Sequence, residues 1–227
     1  MLILSRLEKE TKQIELFVPY LPYARADKEN KVGEAVSADV LCELLKNYGV
    51  KKLITYDCHF LPKPGNFKRK GLKIENKSAG NQLFSYAKKY FTKNKFVLIS
   101  PDEGSSYFTK NAQGHITHSL KKVRHESKVT GTKTIHADIY TMEGEIDVEG
   151  KNVCILDDII ATGGTIVRAI EHLKSRGAKK IIVGTTHGVF AGDKIVEKIL
   201  KSGCKHLFVT NAIQQNSPSA HFAVLAI

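Results

Sequence analysis

At 227 residues, with 42% hydrophobic and 26% charged content, the chain can bury one large α/β domain or two small ones. A formal charge of +12 favours anionic partners such as nucleotides and phosphorylated sugars. Its Lys and Arg are dispersed, with no zinc-finger spacing, no RNA-binding aromatic motif and no apolar run of bilayer length, so neither nucleic acid nor membrane is an expected partner.

Leu2 to Leu7 reads as the tail of a helix, and Ile14 to Val18 as a short strand. Met1-Leu2-Ile3-Leu4 lacks the basic flank and cleavage site of a signal peptide. The loop Pro19-Tyr20-Leu21-Pro22-Tyr23 leads to Arg25 and Asp27. An arginine beside aromatic residues can stack on a purine and pair with its phosphates. Ser37 to Tyr48 has helical spacing, with Val40, Leu41, Leu44 and Leu45 as its apolar face, and Gly49 stops it. Lys52 to Tyr56 is a strand that ends at Asp57-Cys58-His59. Period-2 geometry would aim Asp57 and His59 to one face. There they would hold a metal-bound triphosphate, or act on a leaving phosphate.

Residues 60 to 80 are basic and rich in Gly, Pro and Asn, and a domain boundary is expected there, near 75/76. Asn81 to Tyr90 is a helix, and Phe96 to Ser100 a strand leading into Pro101-Asp102-Glu103-Gly104. Asp102 would reach the cleft at the carboxyl end of that strand. A helix is expected to start within 105–113, and weaker strands over 119–123 and 135–140. Lys122 and Arg124 alternate on the first of these, so both cations aim one way, as neutralisers of a transferring phosphoryl group or as a solvated edge. The remaining strands are expected at 181–186, 207–210 and 222–227, with a helix over 195–201. His187-Gly188 turns out of the first of these.

The chain is organised around Val153 to Thr165. The β-branched run Val153-Cys154-Ile155-Leu156 reads as a buried parallel strand. Asp157 and Asp158 close it, and Ala161-Thr162-Gly163-Gly164-Thr165 forms a small-residue loop whose amides converge on an anion. Ile166, Ile170 and Leu173 then start a helix whose N-terminus favours phosphate. Two carboxylates beside a phosphate cradle suit sugar hydroxyls or Mg²⁺. The alternation of strands and helices argues for an α/β fold with a parallel, doubly wound sheet. Cys42, Cys58, Cys154 and Cys204 form no C-x-x-C pair, and a reducing, cytoplasmic setting is expected.

The acid-tipped loop resembles the ribose-5-phosphate loop of the type I phosphoribosyltransferase superfamily. Jointly, the motifs resemble one family, ribose-phosphate diphosphokinase. These are Tyr23-Ala24-Arg25-x-Asp27-Lys28, Asp57-x-His59, Ser100-Pro101-Asp102-x-Gly104, Lys122-x-Arg124, the 157–165 loop, Thr186-His187-Gly188-Val189-Phe190-x-Gly192 and Thr210-Asn211-x-Ile213. The resemblance implies a shortened N-terminal α/β domain over 1–75 and a phosphoribosyltransferase-like domain over 76–227. It implies ATP contacts at Arg25 and Asp27, and Asp57, His59 and Asp102 around Mg²⁺ and ATP, with His59 also catalytic. Lys122 and Arg124 would stabilise the transition state. Asp157, Asp158 and Ala161 to Thr165 would bind ribose 5-phosphate. The diphosphate of ATP would pass to the 1-hydroxyl of ribose 5-phosphate, in a homo-oligomer serving nucleotide biosynthesis.

The family also has a segment ahead of the part matching 1–7, with a loop that holds adenine from a neighbouring subunit, and a helix after the last strand; neither has a counterpart here. Ser105 and Ser106 replace small or glycine-like positions, and Ala161 stands where many members have an acid. Two other functions fit the same loop: a phosphoribosyltransferase that consumes phosphoribosyl diphosphate, and a non-catalytic regulatory homologue.

Overall fold

The computed structural model describes residues 2–11, 13–29, 31–92, 94–101, 107, 117–125, 139–143, 146–215 and 219–227. A short helix, α1 (Leu2–Leu7), precedes strand β1 (Ile14–Phe17). Helix α2 (Ser37–Asn47) and strands β2 (Val50–Tyr56), β3 (Gly65–Arg69) and β4 (Leu72–Lys77) complete a sheet of order β1-β2-β4-β3. Only β3 runs antiparallel to its neighbour. The expected boundary at 75/76 falls inside β4, which stays in this sheet through Lys77.

Strands β3 and β4 were not expected. Their stretch carries few apolar side chains, and Leu72 and Ile74 alternate with polar residues, pointing into the core while Lys73 points out. In α2 the apolar face also differs from the expected one. Ala38, Cys42 and Leu45 are buried, whereas Val40 and Leu44 are 49% and 41% exposed. Asp39 in the first turn and Lys46 in the last suit the helix dipole.

Helix α3 (Gly80–Tyr90) leads into the second sheet, built from β5 (Phe96–Ser100), β6 (Thr117–Ser119), β9 (Asn152–Ile160), β10 (Lys180–Gly188), β11 (Cys204–Thr210) and β12 (Phe222–Leu225). Its order is β12-β11-β10-β9-β5-β6, with every pair parallel. Strands β7 (Lys121–His125) and β8 (Ile139–Glu143) form a separate antiparallel hairpin that leaves the carboxyl end of β6. Helices α4 (Gly164–Ser175) and α5 (Ile195–Lys201) complete the chain. The helix expected to start within 105–113 lies, apart from Tyr107, outside the described residues.

The sheet is covered on both faces. Val153, Ile155 and Val183 pack with Ile166, Ile170, Leu173 and Ile199 of α4 and α5. Cys154, Leu156, Ile182 and Phe208 pack with Leu83 and Ala87 of α3. This two-sided burial explains why the central strands read as unbroken apolar runs. A Cβ on Gly184 would meet the Phe208 ring at 2.4 Å, so this strand position has room for hydrogen alone.

Candidate functional site

Strand β9 sits between β5 and β10, and it runs longer than its apolar core. The ladder with β10 continues through Thr185–Asp157 to Gly188–Ile160. Asp157 and Asp158 therefore stand within the strand rather than after it, at 6% and 7% exposure. The Asp158 N–H donates to Asp157 Oδ1 at 3.0 Å, and the Ile159 N–H to Asp158 Oδ1 at 2.8 Å. The segment after β10 pins the strand end: the Phe190 N–H donates to the Ile160 carbonyl at 3.1 Å and the Ala191 N–H to that of Ala161 at 3.0 Å. That anchoring is the structural use of the Thr-His-Gly-Val-Phe run.

The loop Ala161–Thr165 then turns into α4. Gly163 caps the helix in a left-handed conformation, φ 72°, and a Cβ there would lie 3.1 Å from Ile195 Cγ2. Its carbonyl accepts the first helical bond from the Val167 N–H at 2.9 Å. Ahead of that bond the amides of the first turn have no intrahelical acceptor, and the helix dipole adds partial positive charge. Free amides at a helix N-terminus can receive an anion.

The first sheet delivers His59 and Arg25 to the same place. A cleft is lined by Arg25, His59 and the run Asp157 to Ile166. His59 Nδ1 stands 2.6 Å from Asp158 Oδ2. Burial pushes the Asp158 carboxyl up, but the His59 hydrogen bond and charge, with help from Asp157 and the Ile159 amide, hold it below the usual carboxylate range. The Tyr20 phenol titrates above its ordinary value because it is buried, with the Arg25 charge opposing and Asp158 reinforcing the rise. Its ring lies 5.1 Å from that of His187.

Asp57 does not share a face with His59, contrary to the spacing argument. Strand β2 ends at Tyr56, and Asp57 turns inward with φ 36°, so period-2 geometry no longer applies. Its side chain is fully buried and the cleft lining does not include it. Asp57 Oδ2 accepts from the Ala79 N–H at 2.9 Å and the Thr186 hydroxyl at 2.6 Å; Oδ1 accepts from the Tyr107 hydroxyl at 3.0 Å. Burial raises the Asp57 carboxyl above its ordinary value, against these donors. His187 Nε2, 2.8 Å from the Tyr56 carbonyl, adds a second tie between the sheets. Thr186, Tyr107 and Tyr20 were not anticipated as partners of these acids; only the Thr186-His187-Gly188 run signalled the first.

The other expected residues distribute as follows. Asp27 does not line the cleft, and its carbonyl accepts from Arg69 Nη2 at 2.7 Å. Lys122 and Arg124 lie on β7, opposite Met142 and Tyr140 of β8. The chain reaches that hairpin from the carboxyl end of β6, beside that of β5, where the Leu120 N–H donates to the Ser100 carbonyl at 2.9 Å. Asp102 lies outside the described residues. Cys58, beside His59, has its thiol pushed up to about 12, chiefly by burial, which leaves it inert. Among the described residues, no three His, Cys, Asp or Glu side chains group to hold a metal by themselves. No described helix is long and apolar enough to cross a membrane. A second opening, lined by Ile146 to Glu149 and Ser175 to Gly177, lies at the amino ends of β9 and β10, away from the loop.

The phosphoribosyl transferase domain pattern matches residues 72–215. The ribose-phosphate pyrophosphokinase of Thermococcus kodakarensis is 32% identical over 214 residues, which cover 91% of this chain and 69% of that protein. The Mycobacterium leprae enzyme of the same name is 29% identical over 209 residues, covering 89% of this chain but only 60% of its own length. The crystal structure of phosphoribosylpyrophosphate synthetase from Mycobacterium smegmatis superposes with a TM-score of 0.78 at 26% identity, over 99% of this chain and 71% of that one.

Proposed function

The chain belongs to the ribose-phosphate pyrophosphokinase family, with a phosphoribosyl transferase domain, and from the cleft it forms we propose that it transfers the diphosphate of ATP to ribose 5-phosphate. One observation carries this reading. A phosphate-receiving loop, a pair of acids and two basic side chains from the other sheet line a single cleft at the carboxyl end of β9.

The sugar phosphate would sit on the amides of Thr162 to Thr165, with the dipole of α4 behind it. Asp157 and Asp158 would accept from the ribose hydroxyls and fix the sugar in register with the nucleotide. Arg25 would reach the phosphates of ATP from the facing lobe, its planar guanidinium suited to paired phosphate oxygens. The 1-hydroxyl oxygen would attack the β-phosphorus as its proton passes to solvent. One O–P bond forms, the bond from that phosphorus to the α-bridging oxygen breaks, and AMP departs. Little covalent chemistry falls to the protein, so positioning and charge neutralisation carry the step. The pairing with Asp158 fixes the His59 ring, which would face the phosphates. Lys122 and Arg124, on the hairpin that leaves the carboxyl end of β6, would neutralise charge gathering on the transferred group.

The donors fit Mg²⁺: carboxylate oxygens of Asp157 and Asp158 are hard ligands, and Mg²⁺ needs one or two of them, taking the rest from substrate oxygens and water. Bound Mg²⁺ would supply charge neutralisation at the phosphates. His59, and Asp102 beyond the described residues, would stand near it.

The test is AMP release from ATP, Mg²⁺ and ribose 5-phosphate by the purified chain. Equimolar AMP and phosphoribosyl diphosphate are expected. Pyrophosphate release from phosphoribosyl diphosphate and a base, with no AMP formed, would move the chain to the transferases. Lys122→Ala should lower kcat at least a hundredfold and change KM for ribose 5-phosphate less than threefold, because a transition-state contact leaves ground-state binding alone. Equal kcat in variant and parent would remove Lys122 from the mechanism.

A further inference from the structure

On that reading, ATP meets the first lobe at two places: the 22–28 loop, which carries Arg25, and the turn that carries His59. We propose that Arg69 is a positioning residue that braces both, so that nucleotide binding depends on it and ribose 5-phosphate binding does not.

Arg69 is the last residue of β3, paired with Leu72 of β4. Between them Lys70 and Gly71 have φ 49° and 80°. Two left-handed residues in a two-residue loop make a turn whose twist matches the flanking strands. Glycine takes the second position without backbone strain, and a Cβ there would displace the flexible end of Lys46, whose Nζ would lie 2.6 Å away. A hairpin this short gives its last strand residue one place to stand.

From that place the guanidinium holds three segments. Nε donates to Asp39 Oδ1 of α2 at 2.6 Å. Nη2 donates to the Asp27 carbonyl at 2.7 Å. Its Cζ lies 4.3 Å from the centre of the Phe60 ring. Lys70 Nζ sits 3.2 Å from the other Asp39 oxygen, so that carboxylate is gripped from both sides. Burial pushes Asp39 up, but the bonds from Arg69 and Lys70 outweigh it and hold the carboxyl low. Only a planar fork can donate in two directions while one face covers an aromatic ring.

Both braced segments end in the cleft. Arg25 is two residues from the Asp27 carbonyl. The loop closes on itself through the Ala26 N–H and the Tyr23 carbonyl, 2.9 Å, and ties to α2 through the Ala38 N–H and the Ala26 carbonyl, 3.1 Å. His59 is next to Phe60, in a turn closed by the Leu61 N–H on the Cys58 carbonyl at 2.8 Å. None of these three contacts falls on the phosphate loop or on β9. Loss of the brace should therefore separate the two substrates.

The experiment compares the parent chain with Arg69→Ala and Arg69→Lys. Hydrogen–deuterium exchange over residues 19–28 is read without ligand, and calorimetric Kd values are read for Mg²⁺–ATP and, separately, for ribose 5-phosphate. In Arg69→Ala, exchange should quicken at least tenfold, Kd for ATP should rise at least tenfold, and Kd for ribose 5-phosphate should stay within twofold. Arg69→Lys keeps the charge without the fork and should restore less than half of the lost ATP affinity; if the alanine variant does not fold, the lysine variant carries the comparison. Unchanged ATP affinity, or equal weakening of both ligands, would overturn the proposal. If the parent chain binds no ATP, the proposed reaction falls. The brace then stands or falls on the exchange of residues 19–28 alone.

Discussion

Asp57 and Asp158 are both buried acids, yet their surroundings drive them in opposite directions. Asp158 has a basic partner, and its depressed titration means that its contribution to stability is present above the ordinary carboxylate range and lost as pH falls through the depressed value. Asp57 is met by four donors, from Thr186, Ala79, Ser78 and Tyr107, and burial outweighs them. With a raised value in the fold, its contribution is full in acid and is lost as pH rises through that value. Asn keeps an acceptor for Ala79 and Thr186 and can donate to the Tyr107 oxygen. Asp57→Asn should therefore gain on the parent in urea unfolding as pH goes from about 4 upward, then level off. Asp57→Ala leaves buried donors unpaired and should cost roughly 3–5 kcal/mol at neutral pH. If alanine is tolerated as well as asparagine, the acid is not holding those donors. The D-x-H spacing in the sequence put both side chains on one face, and the backbone at Asp57 does not. A single left-handed residue at Asp57 separates an interior latch from a cleft histidine, and no residue-type pattern announces it.

The central strand, loop and helix were legible because burial on both faces leaves a continuous apolar run, followed by a glycine with a steric reason to be there. Gly163 shows how local that reason is. Alanine at φ 72° costs about 1 kcal/mol in backbone strain, and its methyl would press on Ile195 and Ile199 of α5. The loop must open to relieve both, which misaligns the amides. Gly163→Ala should weaken ribose 5-phosphate binding about tenfold, roughly 1.4 kcal/mol, while the far-ultraviolet spectrum stays that of the parent. Full affinity by calorimetry would mean the phosphate does not rest on this turn. The β3–β4 hairpin was illegible for the converse reason. It lies at the sheet edge and faces solvent with lysines, so only Leu72 and Ile74 carry the alternation. In α2 the helical period was right and Leu41 and Leu45 face the core as expected, but the small Ala38 and Cys42 complete the buried stripe where the larger Val40 and Leu44 were expected.

At the scale of the molecule, the contacts between the two sheets crowd at one end. Thr186 donates to Asp57, His187 reaches the Tyr56 carbonyl and the Tyr20 ring, and His59 meets Asp158. All lie at the carboxyl ends of β2, β9 and β10, beside the proposed sugar-phosphate site. A ligand seated there is held by the strand that also holds the other lobe, so binding should stabilise both together. At a hundred times its Kd, ribose 5-phosphate adds about 2.7 kcal/mol to the folded state. For a chain of this size each kcal/mol moves Tm by about 2–4 °C, so a rise of roughly 5–10 °C is expected in one transition. Asp158→Ala removes the proposed sugar contact and the His59 tie at once. It should lower the ligand-free Tm and abolish most of the shift. Scanning calorimetry separates the possibilities. A parent protein with two transitions, only the later of which responds to the sugar phosphate, would show that the latch does not couple the lobes. A single transition that rises equally in parent and Asp158→Ala would show that the sugar phosphate binds without that acid.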